Sequence, residues 1–146
     1  MEQKYTEALA ILEERFNKDS LIAVATAVDN VPSVRTVDAY YENGCFYSIT
    51  YALSNKIKQI EENPKVAISG EWFTAHGIGK NMGYILAEEN KELHSKLKQA
   101  FHAWYDNGHI DETSEYTCVL CIKLEKGVLF NNGKKYEIDF LDQDVK

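Results

Sequence analysis

The sequence predicts a mainly β protein, a small barrel of six to seven antiparallel strands with flanking helices. Three observations carry that prediction. Short β-branched and aromatic runs recur along the chain, Asn-Gly turns follow two of them, and only a few stretches show helical spacing. Closing such strands on themselves removes exposed edges, which matters for a chain rich in Val, Ile and Tyr. The 146 residues suffice for one core and contain no Pro/Ser-rich linker, repeat or low-complexity tract, so residues 1–146 read as a single domain.

In chain order, Tyr5, Leu9, Leu12 and Phe16 recur at helical spacing and predict an amphipathic helix closing near Asn17 to Ser20. Strands are expected over Leu21–Val28, Ser33–Tyr41, Cys45–Thr50 and Lys65–Phe73. Glu42-Asn43-Gly44, tolerant of positive φ, joins the second and third as a hairpin. Ser54 is the expected N-cap of a short helix that sets Ile57 and Ile60 on one side and stops at Asn63-Pro64. Leu93, Leu97, Phe101 and Trp104 predict a helix from Ala87 to Tyr105, halted by Asn107-Gly108. Strands over Tyr116–Leu124 and Val128–Phe130 lead to a turn at Asn131-Asn132-Gly133 and a last strand over Lys135–Phe140.

Composition excludes several function classes. The formal net charge is −7 and no basic stripe appears, so nucleic acid is not an expected partner. The longest apolar run, Leu21–Val28, falls far short of the roughly 20 residues that span a bilayer. The charged N-terminus lacks the apolar core of a secretory signal, and an odd count of three cysteines suits a reducing compartment, so a cytoplasmic location is expected. Cys118 and Cys121 lie on one expected strand and point to opposite faces, which argues against a redox or zinc pair and for packing. Cys45, after the hairpin turn, is expected to be inert. His94 and His102 sit too far apart along their helix to share a metal and are expected to be solvated.

The segment from Pro32 to Pro64 concentrates the chemistry. Alternation places Arg35 and Val37 on one strand face, with Thr36 on the other. The N-terminus of the following helix presents unpaired N–H groups and partial positive charge, a ready anion site. Lys56 in its first turn opposes the usual preference for acids there, which makes sense if it faces a phosphate.

This chain resembles the pyridoxamine 5'-phosphate oxidase-like, FMN-binding split-barrel family. The resemblance rests on Val34-Arg35-Thr36-Val37, Phe46-Tyr47-Ser48-Ile49-Thr50, Ser54-Asn55-Lys56 and the run from Gln59 to Ala67. It implies FMN bound at the interface of a homodimer, with the phosphate held by Arg35, Thr50, Ser54 and Lys56. Thr36, Val37 and Ile49 would line the ring, although ordinary core packing is the better account of Val37 and Ile49. The true vitamin B6 oxidases end in an Arg- and His-containing segment, whereas this chain ends YEIDFLDQDVK, so the resemblance points to the smaller flavin-binding relatives. It implies hydride transfer between a nicotinamide donor and a small-molecule acceptor, with no residue assigned as catalytic. A flavin carrier or sensor without turnover, and haem or deazaflavin binding with His76 as the available iron ligand, are the alternatives.

The stretch Trp72 to Tyr84 is expected to be a loop, because Gly77, Gly79 and Gly83 punctuate it. Trp72, His76 and Asn81 are its candidate flavin contacts. Close approach to a ligand explains the glycines, and so does a β-bulge with a turn.

Overall fold

The computed structural model describes residues 2–146. Helix α1 (Glu2–Phe16) is followed by β1 (Ser20–Val28), β2 (Val31–Glu42), β3 (Cys45–Tyr51), α2 (Asn55–Glu62), β4 (Lys65–Gly70) and β5 (Phe73–Tyr84). A 3₁₀ turn at Glu88–Asn90 enters α3 (Lys91–Ala100), a π turn covers Tyr105–His109, and β6 (Thr117–Asn131), β7 (Lys134–Asp139) and β8 (Asp144–Val145) complete the chain.

All strand pairs are antiparallel, in the order β3-β2-β1-β4-β5-β6-β7-β8, and β3 also pairs with β6. That last pairing closes six strands into a barrel. Strand β6 serves two neighbours along one edge: β3 over Thr117–Lys123 and β7 over Lys126–Asn131. The barrel is split because β2 pairs β3 only from Tyr40 to Glu42, although β1 follows β2 from Val31 to Ala39. Beyond Tyr40 and Tyr47 the two strands diverge and leave a wedge. This architecture matches the split barrel the sequence predicts.

The main core fills the barrel, with Phe16 of α1 against Phe46 and Phe73, and Ile57 and Ile60 of α2 buried at the wedge. A second cluster lies outside the barrel, where α3 and the chain after it cover β3 and β6. It contains Ile85, Leu97, Phe101, Tyr105 and Val119. No helix among the described residues is long and apolar enough to cross a membrane.

Four expectations change. The strand over Lys65–Phe73 breaks at Glu71-Trp72, where Trp72 adopts a φ of 53°. The expected glycine loop is the 12-residue strand β5. A Cβ on Gly77 would lie 2.1 Å from the Lys123 carbonyl oxygen, so this glycine lets β6 pass beside a register shift rather than making room for a ligand. The two C-terminal strands are one, since Gly127 sits inside β6 where a Cβ would meet Phe73 at 2.8 Å. Helix α3 stops at Ala100, and the residues after it turn back under Gly108 at φ 99°.

Candidate functional site

Helix α2 lies across the wedge and brings the predicted phosphate ligands together. Ser54 caps it, its hydroxyl oxygen accepting from the Ile57 N–H at 3.4 Å. Arg35 reaches inward from β2: one Nη donates to the Thr26 hydroxyl (2.8 Å) and the Val24 carbonyl (3.3 Å), the other to Gln59 Oε1 (2.9 Å). Thr26 donates to the same Gln59 oxygen at 2.6 Å, which fixes the guanidinium plane. Lys56 donates from Nζ to the Thr50 hydroxyl at 2.8 Å.

The electrostatics of this group are unusual. Burial, and secondarily the charge of Arg35, pulls the Lys56 ammonium below its ordinary value, and burial does the same to Arg35. Neither cation forms an ion pair with an acid among the described residues. Two neighbouring, partly desolvated cations without a counter-ion are costly unless an anion binds between them. The remaining guanidinium N–H groups, the ammonium, the Ser54 hydroxyl and the N–H groups of the capped helix form a donor set suited to a phosphomonoester.

Beside this pocket the wedge opens into a cleft of about 460 Å³ lined by Val37, Asp38, Ser48, Ile49, Trp104 and Ile110, among others. Val37 also packs on the main core and Ile49 on the outer cluster, so each has a structural role and a cleft-facing surface. Thr36 is exposed on the opposite face of β2. Asp38 is the group that sequence reasoning missed here. Burial, then a hydrogen bond and charge repulsion from Asp19, raises its carboxyl to about 6. Asp19 in turn accepts from the Trp104 indole N–H at 2.8 Å. Asp19, Asp38 and Trp104 come from three distant segments, so no local pattern announces them.

The three candidates from the expected loop do not join Arg35 and Lys56 within the chain. Trp72 is 71% exposed at the β4–β5 turn. The register places Thr50 beside Cys118 and Phe73 beside Leu129, a separation along β6 of roughly 35 Å. His76 is exposed on the outer face of β5, bordering a groove of about 820 Å³ that also carries Lys126, Glu137 and Asp139. Asn81 Oδ1 accepts from the Gly83 N–H at 2.8 Å and shapes the end of β5.

Two other expectations are corrected. His94 is half-buried, with Nε2 2.6 Å from Glu112 Oε2, which also accepts from Tyr105 at 2.5 Å. This cluster, joined by the Tyr84 hydroxyl on the Glu112 carbonyl, pins the chain after α3 to the barrel. His102 is exposed as expected. Cys118 is buried inside the barrel and Cys121 faces outward, as alternation requires, but Cys121 is only half-buried and Cys45 lies against it.

No family model and no curated protein matches this chain. Solved structures do. A candidate pyridoxamine 5'-phosphate oxidase from Listeria innocua superposes with a TM-score of 0.65 at 17% identity, over 88% of this chain and 99% of that one. A pyridoxamine 5'-phosphate oxidase-related, FMN-binding protein from Nostoc punctiforme gives a TM-score of 0.60 at 14% identity, over 97% and 94%. A haem-binding protein from Mycobacterium smegmatis gives 0.65 at 13% identity, over 97% of this chain and 58% of that one. The fold is that of the pyridoxamine 5'-phosphate oxidase-like split barrels.

Proposed function

We propose that this chain is an FMN-binding flavoprotein that passes hydride or electrons between a nicotinamide donor and a small-molecule acceptor. The observation that carries the reading is the cation pair Arg35 and Lys56, held partly desolvated under capped α2 without a carboxylate partner among the described residues. Bound FMN supplies two-electron chemistry at its ring, and a phosphate with close to two negative charges. Arg35, Lys56, Thr50 and Ser54 hold that phosphate. Val37 and Ile49 offer apolar cover in the adjoining cleft and limit water there. Asp38 Oδ retains a proton shared with Asp19 up to a pH of about 6 and can release it into the cleft.

A second copy completes the site in this reading. Beyond Asp38 towards its N-terminus, β2 has a strand neighbour on one edge only, and its outward face joins Val34 to Ala25 and Ala67, without a covering helix. A homodimer on this face would wall the open side of the wedge, where Thr36 is exposed.

The test is an absorption spectrum of the freshly purified protein, followed during addition of NADH and NADPH. Two flavin bands that bleach with a nicotinamide donor support the proposal. Flavin bands that never bleach leave a carrier or sensor, and a sharp Soret band overturns the phosphate-pocket reading in favour of haem.

A further inference from the structure

We infer that Cys45 and Cys121 form an oxidisable thiol pair on the outside of the barrel, closing to a disulfide between β3 and β6 when a hydroperoxide reacts with Cys45. The register pairs Tyr47 with Cys121 and Cys45 with Lys123, so the two cysteines are diagonal neighbours on one face of the β3–β6 ladder. Both are free and half-buried, which gives a reagent access, whereas Cys118 is enclosed in the core. The two thiols and the Tyr47 hydroxyl are near enough to act on one another's ionisation.

Their surroundings make the pair asymmetric. The Cys121 thiol, helped by Tyr47 and by the Lys123 ammonium, holds the Cys45 thiol below its ordinary value against partial burial, and Cys45 with burial pushes Cys121 up. Cys45, the first residue of β3 after the turn and directly opposite Lys123, is the thiol placed to react first, with Cys121 resolving it.

In the first step the Cys45 thiolate attacks the outer peroxide oxygen. An S–O bond forms, the O–O bond breaks, and the leaving alkoxide takes the proton that Cys45 gave up, leaving a sulfenic acid and an alcohol. In the second, Cys121 Sγ attacks the sulfenyl sulfur: the S–S bond forms, the S–O bond breaks, and hydroxide leaves as water with the Cys121 proton. The peroxide accepts the two electrons that the thiol pair loses.

Diagonal neighbours in a flat antiparallel pair have Cα atoms about 7–8 Å apart, slightly beyond the usual disulfide span. Cys45 is held between Glu42 of β2 and Lys123 of β6, so bridging draws the β3–β6 seam together by roughly 1 Å rather than moving a free end. A bridge there would tie β3 to β6 at the closing seam of the barrel. The thiol pair needs no flavin for this chemistry.

The experiment treats Cys118→Ser protein with a few equivalents of hydrogen peroxide and reads intact mass and non-reduced peptide maps. The expected result is loss of about 2 Da and a Cys45–Cys121 cross-linked peptide, reversed by dithiothreitol. Cys121→Ser should instead accumulate a sulfenic acid on Cys45 that dimedone traps. Wild-type protein mapped the same way provides the reading if a variant does not fold. Two thiols that remain reduced, or Cys45 passing to sulfinic acid without a bridge, would overturn the inference.

Discussion

At the residue scale, the proposed phosphate site would have the Arg35–Lys56 pair trade stability for anion binding. A Lys whose folded value is lowered loses stability while it is protonated, so removing its charge should relieve the folded state in the absence of ligand. Lys56→Met is expected to raise the thermal midpoint of the flavin-free protein and to weaken FMN binding. Arg35→Ala should weaken it as well, by about 1–3 kcal/mol for each charge-assisted hydrogen bond to the phosphate that it removes, as read by quenching of flavin fluorescence during titration. A folded variant with wild-type affinity would remove both residues from the phosphate site. Asp38 yields a pH test with the opposite sign from an ordinary carboxylate. Its folded value is raised to about 6, so the stabilisation is complete below the usual carboxylate range and is lost as pH rises through 6. Asp38→Asn is expected to be more stable than the parent at pH 8 by about 1 kcal/mol, discounted for solvent screening, and to show no gain at pH 4. Thermal midpoints across that range decide it, with a shift of about 2–4 °C expected at the alkaline end.

At the element scale, the sequence makes legible what is encoded locally. The hairpin at Asn43-Gly44, the Ser54 cap and the Ile57/Ile60 stripe each depend on neighbours within a few residues, and each stands where expected. Strand β5 reads as a loop because the reason for its glycines lies across the sheet. Gly77 faces the backbone of β6 and Gly79 faces Ile60 of α2, neither of which any local pattern reveals. The candidate site divides the same way: Thr50, Ser54 and Lys56 sit around one short connection, and the family resemblance is what joins Arg35 of β2 to them. Asp19 with Asp38, and Cys45 with Cys121, meet only because strands pair. Gly77→Ala tests this account of β5, since its Cβ would have to displace the Lys123 carbonyl. A loss of about 2–4 kcal/mol in chemical denaturation is expected, against near-neutral behaviour if the glycine served a ligand alone.

At the scale of the whole molecule, the question is whether one chain contains a complete site. The wedge between β2 and β3 is capped by α2 and flanked by the chain after α3, yet the outward face of β2 has no cover, and Val34 there is 69% exposed. Small residues surround it: Ala25 lies opposite Val34, and Ala67 lies beyond Ala25 on β4. This short row of small apolar residues beside the exposed Val34 suits self-association through a two-fold axis, which would set each wedge against the partner's barrel. Val34 belongs to neither the phosphate group nor the core, because its side chain points away from Arg35 across the strand. Val34→Glu should therefore spare folding, convert the proposed dimer to a monomer in sedimentation equilibrium, and lower FMN affinity at least tenfold although every proposed phosphate ligand remains. A monomeric variant that binds FMN as tightly as the parent would mean that the pocket is complete within one chain, and the dimeric site would be wrong even with the flavin assignment intact.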